Sequence, residues 1–137
     1  MDMLTIEQLN CGFGRQEILH DISLNIPEGK ITAIVGQSGC GKTTFLKTLN
    51  RMIEEDGGFY KGKISLDGVD IRELSKEELR TRIGMVFQQP IAFPYSIEKN
   101  LSYVLKYHGI RDKGQIEKIT KDCLQKARLY DEVKDQM

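Results

Sequence analysis

The chain has 137 residues, with 20 Lys+Arg against 20 Asp+Glu and a formal net charge of zero. At about 150 residues per domain this is one domain at most, and 39% hydrophobic with 29% charged residues is the balance of an ordinary folding chain. Zero net charge argues against a general nucleic-acid binder or a polybasic membrane-surface protein, and no apolar run approaches the ~20 residues of a membrane helix.

The opening Met1-Asp2-Met3-Leu4 has no basic segment leading into an apolar one, so no secretory signal is expected. Cys11, Cys40 and Cys123 form no CxxC pair, which fits a reducing cytoplasm and speaks against structural zinc. Residues 4–9 and 22–26 read as strands, Ile22, Leu24 and Ile26 alternating with Ser23 and Asn25. Pro27-Glu28-Gly29 breaks the chain. Ile31–Val35 is a nearly continuous apolar run, expected as a strand buried on both faces in a parallel sheet. From Lys42 a helix is expected, with Phe45, Leu46, Leu49, Met52 and Ile53 on one face. Residues 54–62 read as a polar connector. Ile64 and Leu66 then alternate with Ser65 ahead of an Asp67-Gly68 turn. Ser75 and Glu78 make a capping box for a short helix to about Arg82. Ile83–Phe87 is a second buried-strand candidate, ended by Gln88-Gln89-Pro90.

A composition change near Pro90–Pro94 places a boundary there, giving residues 1–90 and 91–137 as two parts. Ser96 is the expected cap of a helix to about His108, with Gly109 as its stop and Ile97, Leu101, Val104 and Leu105 facing a core. A last helix is expected over 115–130, with Ile116, Ile119, Cys123, Ala127 and Tyr130 on one face.

One segment carries chemistry. Gly36-Gln37-Ser38-Gly39-Cys40-Gly41-Lys42-Thr43 matches the phosphate-binding pattern GxxxxGK[ST]. Glycines let the backbone curl until successive N–H groups point at phosphate oxygens. The following helix adds the positive end of its dipole. Lys42 reaches the β- and γ-phosphates, and the Thr43 hydroxyl ligates Mg²⁺. A buried-strand pattern before the loop and an amphipathic helix after it set this match apart from a chance turn.

With Thr44 included, the loop resembles that of the ATP-binding subunit of ABC (ATP-binding cassette) transporters, whose pattern is commonly GxSGxGK[ST]T. Phe13-Gly14, followed by Leu19 and Ile22 and standing 23 positions before Gly36, is similar to that family's adenine-stacking aromatic loop. Met85-Val86-Phe87-Gln88 is similar to its Q-loop. Read singly, Phe13 is equally a core or loop aromatic and Gln88 a solvated strand end. The resemblance covers Leu4 to Met137. It implies an α/β P-loop NTPase fold of the ABC nucleotide-binding type, truncated, with N-terminal antiparallel strands and the start of a helical subdomain. It implies ATP and Mg²⁺ as ligands. Gly36, Gln37, Ser38, Gly39, Cys40, Gly41, Lys42, Thr43 and Thr44 would hold the phosphates and Phe13 the base. Lys42 and Gln88 would act in catalysis, with Thr43 and Gln88 at the metal.

Finer resemblance, in Thr48–Met52, Met85–Pro90, Phe93–Ile97, His108–Ile110 and Leu129–Asp135, points to the phosphate-import subgroup, although Gln37 and Thr43 stand where that subgroup has Pro and Ser. The implied protein is the ATP-binding subunit of an importer for inorganic phosphate. The alternatives are an importer of amino acids or another anion, a nucleotide-binding fragment without turnover, and an unrelated P-loop kinase or GTPase. Its implied partners are transmembrane permease subunits, met over Pro90–Tyr103, and a second ATP-binding subunit, at the cytoplasmic face of the cell membrane. No nucleic acid is expected. No apolar strand ending in Asp-Glu occurs, Asp131-Glu132 being a decoy within a helix pattern, and no LSGGQ signature is present. The chain is therefore expected to stop inside the helical subdomain, to be inactive in hydrolysis by itself, and to be marginally stable or paired with another copy.

Overall fold

The computed structural model describes residues 2–89 and 91–136. The chain divides into two compact units, Met1–Val86 and Phe87–Met137. Pro90, part of the expected boundary and partner contact, lies outside the described residues, as does Met137.

The first unit is built on an antiparallel sheet in the order β2-β1-β3-β4. Its strands are β1 (Asp2–Phe13), β2 (Gln16–Pro27), β3 (Gly58–Leu66) and β4 (Val69–Asp70). The expected strands at 4–9 and 22–26 are the inner portions of β1 and β2, joined by a tight turn that sets Phe13 opposite Gln16. The period-2 reading of β2 holds: Ile22, Leu24 and Ile26 are half-buried while Ser23 and Asn25 are exposed. The expected polar connector at 54–62 is corrected. Gly58–Lys63 pairs with β1 as part of β3, because Phe59 and Tyr60 lie opposite Gly12 and Cys11. Gly62 makes this possible: its φ is +90°, and a Cβ there would collide with the Gln8 carbonyl oxygen of the bulged β1.

One face of the sheet carries the core, Leu4, Ile6, Leu9, Ile64 and Leu66, over which Phe45, Leu49, Ile71 and Leu79 pack. Phe45 and Leu49 come from α1 (Lys42–Leu49) and Leu79 from α3 (Lys76–Arg82). The single helix expected from Lys42 through Ile53 is instead two. Arg51 takes a left-handed φ of 59° and separates α1 from the one-turn α2 (Met52–Glu55). Leu46, expected on the buried face, is exposed. The capping box at Ser75 is as read, its hydroxyl accepting from the Glu78 amide at 3.1 Å.

The two expected buried strands are not strands. Residues 31–35 and 83–87 belong to no helix or strand, and Ile31, Val35 and Val86 are 101%, 92% and 97% exposed. A strand buried on both faces needs hydrogen-bonded neighbours and a covering layer on each side. The sheet of the first unit is antiparallel throughout, and β2 is its edge on one side.

A charge network fastens α2 to α3. Arg51 bonds Glu54 at 2.8 Å and donates to the Leu74 carbonyl at 3.2 Å. Lys76 reaches Glu54 at 3.1 Å and Glu55 at 2.9 Å, and Arg80 reaches Glu55 at 3.1 Å. The hydrogen bond from Arg51 holds the Glu54 carboxyl below its ordinary range, with Lys76 adding to it. Lys76 and then Arg80 do the same for Glu55. Folded pKa values below the unfolded ones mean that this stabilisation is complete above the unfolded carboxylate range, about pH 4–4.5. It is lost as pH falls through the folded values. Glu54→Gln is therefore expected to lower the melting temperature at pH 7 and to flatten its fall between pH 5 and pH 3. An unchanged acid slope would show that the pair carries no proton linkage.

The second unit is helical: α4 (Ile97–Tyr107), α5 (Lys113–Lys126), α6 (Tyr130–Val133) and a 3₁₀ turn, Lys134–Gln136. Ser96 caps α4 through the Lys99 amide at 3.2 Å, and Gly109 ends it with φ +86°. The expected helix over 115–130 stops earlier, at Lys126, and Arg128 turns left-handed at φ 58°. Its fully buried residues are Ile116, Thr120 and Leu124; of the expected face Ile116 is buried, Ile119 and Tyr130 are half-buried, and Cys123 and Ala127 are exposed. An i, i+4 stripe anchored at Leu124 buries more apolar area than one running through the small Cys123 and Ala127. On α4, Ile97, Leu101 and Leu105 are half-buried, whereas Val104 is exposed.

Candidate functional site: the glycine loop at the start of α1

Residues 36–41 follow the segment 31–35 and turn into α1. Gly39 and Gly41 both lie in the left-handed region, at φ +78° and +97°. Such left-handed steps in a turn aim backbone N–H groups toward one concave side. Gly41 has a second constraint. A Cβ there would sit 2.8 Å from Leu19 Cδ2 and 2.9 Å from Ile18 Cγ2, so β2 presses on the loop from behind. Sequence reading used Leu19 only as part of an aromatic-loop pattern and missed this packing role.

Lys42 is folded over the loop. Its ammonium donates to the carbonyl oxygens of Gly36 at 2.8 Å and Gln37 at 2.6 Å, with Cys40 Sγ at 3.6 Å. The loop thus positions a cation on its own axis by main-chain atoms. Gly41 is the N-cap and supplies no side-chain oxygen, and the first turn of α1 contains no acidic residue. The positive end of the helix is therefore neither capped nor neutralised by a side chain. From Ile31 to Gly41 there is no charged residue at all. Every feature favours an anion carrying several oxygens.

The Thr43 hydroxyl is exposed at the first turn beside Lys42, and Thr44 is half-buried, its carbonyl bonded by Thr48 Oγ1 at 2.7 Å. Among the described residues no group of three or more His, Cys, Asp or Glu side chains could hold a metal. A resident metal does not fit this donor set. A Mg²⁺ that arrives with a polyphosphate does, because it keeps waters and phosphate oxygens as most of its ligands and needs one or two from protein.

An apolar cavity of about 210 Å³ adjoins the loop, lined by Leu19, Ile22, Leu24, Ile34, Val35 and Phe45 together with Cys40, Gly41 and Lys42. Phe13 is not among its lining residues. The Phe13 ring lies against Gly58, where a Cβ would meet Phe13 Cε1 at 2.9 Å. Gln88 is exposed in the second unit, outside any helix or strand. The structure therefore brings residues 36–44 together as one site.

A family model described as ABC transporter matches residues 19–137. A solved structure of a bacterial Atm1-family ABC exporter with ATP bound is similar at 35% sequence identity and a TM-score of 0.65, over 73% of this chain and 17% of that one. This chain thus spans about a sixth of the exporter chain it matches. The expectation of an importer, for phosphate or for another anion or amino acid, is corrected by this likeness to an exporter. The quoted segments include the end of α1, the Ser96 cap, the Gly109 stop and α6, local features that carry no direction of transport.

Proposed function

This chain belongs to the ABC transporter family, and from that premise we propose that it binds ATP with Mg²⁺ through residues 36–44. The observation that carries the reading is the Lys42 ammonium held between the Gly36 and Gln37 carbonyls, above two left-handed glycines and an uncapped helix start. Polyphosphate oxygens replace those two carbonyls as partners of Lys42. Backbone N–H groups of 39–44 take the remaining oxygens. Thr43 gives its hydroxyl to the Mg²⁺ that accompanies the nucleotide. Phe13 is assigned to the base and Gln88 to the metal, both by position in the family pattern.

ABC domains in general pair with transmembrane subunits and with each other, and both partners are carried over to this chain, which would place it at the cytoplasmic face of the membrane. No helix among the described residues is long and apolar enough to cross a membrane. Residues 91–103 are the proposed contact with the transmembrane partner. There Phe93, Tyr95 and Tyr103 are about half exposed, and the Tyr95 and Tyr103 rings lie 6.2 and 5.5 Å from the Phe93 ring. Asn100 pins this loop with a bond from the Phe93 amide at 2.8 Å and bonds to the Phe93, Tyr95 and Ser96 carbonyls.

Titration calorimetry with ATP and with AMP, each with Mg²⁺, tests the central claim. Tighter binding of ATP than of AMP is expected, because the loop engages the β- and γ-phosphates that AMP lacks. Equal affinity, or binding of neither, overturns it.

A further inference from the structure

We propose that Gly58 is a positioning residue for the Phe13 ring: the space left by its absent side chain is the slot in which that ring is seated. The inference rests on the reading that Phe13 carries the nucleotide base. Gly58 opens β3 and lies directly opposite Phe13 in the pairing of β1 with β3. Side chains of directly opposed residues stand on the same face of a sheet. A Cβ at Gly58 would meet Phe13 Cε1 at 2.9 Å, Ile53 Cγ1 at 2.6 Å and the Gly12 carbonyl oxygen at 2.9 Å. Backbone conformation does not ask for glycine here. Gly57 is left-handed at φ +75° and a Cβ there would meet nothing within 4 Å, so it serves the turn. Gly58 lies outside the left-handed region and is crowded, so it serves the space. Glycine in a strand weakens the pairing and marks the close approach of another group.

The three neighbours differ in how far they can give way. Ile53 is fully buried. The Gly12 carbonyl belongs to a residue paired on both sides, with Glu17 of β2 and Phe59 of β3. Phe13 is half-buried at the end of β1. Its backbone is paired with Gln16 and Gly58, so its side chain is the part able to move. A methyl at position 58 is therefore expected to turn the ring aside and leave the strands in place. Such a shift reaches the base and not the phosphates, because the glycine loop makes no part of this contact.

Calorimetry with ATP and with tripolyphosphate, each with Mg²⁺, tests this on the parent, Gly58→Ala, Phe13→Ala and the double variant. Tripolyphosphate reads the glycine loop without the base. Stacking of a base on an aromatic ring is a factor of about 5–150 in affinity. Phe13→Ala is expected to weaken ATP by that factor and to leave tripolyphosphate unchanged. Gly58→Ala is expected to weaken ATP about 3- to 10-fold, a part of the stacking factor, again with tripolyphosphate unchanged. Added to Phe13→Ala, Gly58→Ala is expected to have no further effect on ATP, as for two residues that act through one contact. A merely structural role would weaken both ligands together. Unchanged ATP binding in Gly58→Ala, beside weakened binding in Phe13→Ala, overturns the positioning role alone. Unchanged ATP binding in Phe13→Ala overturns the assignment of the base to Phe13 and the proposal with it. Equal loss of both ligands in Gly58→Ala, or a further loss of ATP binding in the double variant, also overturns the proposal.

Discussion

Lys42→Ala is expected to weaken binding of ATP with Mg²⁺ roughly 10- to 150-fold. The ammonium is the only charged group the loop 36–44 contains, and it is held in place by the Gly36 and Gln37 carbonyls rather than by a carboxylate. It therefore meets a polyphosphate without first breaking an ion pair. A hydrogen bond to a charged group contributes about 1.5–3 kcal/mol, and about 1.4 kcal/mol is a factor of ten in affinity. Lys118→Ala, an exposed lysine of α5, is expected to leave the affinity unchanged, which excludes a general effect of removing one positive charge. Calorimetry on both variants reads the difference. A Lys42→Ala chain that binds like the parent would mean that the phosphates sit elsewhere.

Gly41→Ala is expected to destabilise the first unit by about 2–5 kcal/mol, well beyond Gly39→Ala. Both glycines are left-handed, at φ +97° and +78°, and an L-residue there costs about 1–2 kcal/mol. They differ in their surroundings. A Cβ at Gly39 meets nothing within 4 Å, whereas one at Gly41 meets Leu19 and Ile18 below 3.0 Å. Forcing a methyl into that contact costs about 1–3 kcal/mol more. Thermal melts of the two variants make the comparison, since about 1 kcal/mol shifts the melting temperature of a domain this small by about 4–8 °C. Equal melting would show that β2 yields to the loop without cost, and that the spacing between strand and loop is not held by this contact.

The glycine loop was legible because its chemistry is local. Gly36 to Thr43 combines permissive glycines with one cation and a hydroxyl directly after it, and those residue types stand in order along the chain. The caps at Ser75 and Ser96 were legible for the same reason: each is a hydroxyl and an amide three residues on. The importer reading failed because the glycine loop and the helix caps carry no direction of transport.

Sequence by itself determined the glycine loop, the two caps, the alternation along β2 and the family. Each rests on interactions within a few residues, or on a repeat of period 2 that one strand displays alone. Tertiary structure decided the rest. Ile31–Val35 and Ile83–Phe87 carry the composition of buried strands but belong to no sheet among the described residues, because a strand is made by its neighbours as much as by its own composition. Gly58–Lys63 reads as a loop yet pairs with β1 through the bulge that Gly62 accommodates. The helix from Lys42 breaks at Arg51 where that side chain is drawn to Glu54 and the Leu74 carbonyl. The β1–β3 pairing and the Arg51–Leu74 bond join residues more than 20 positions apart, and no local pattern encodes them.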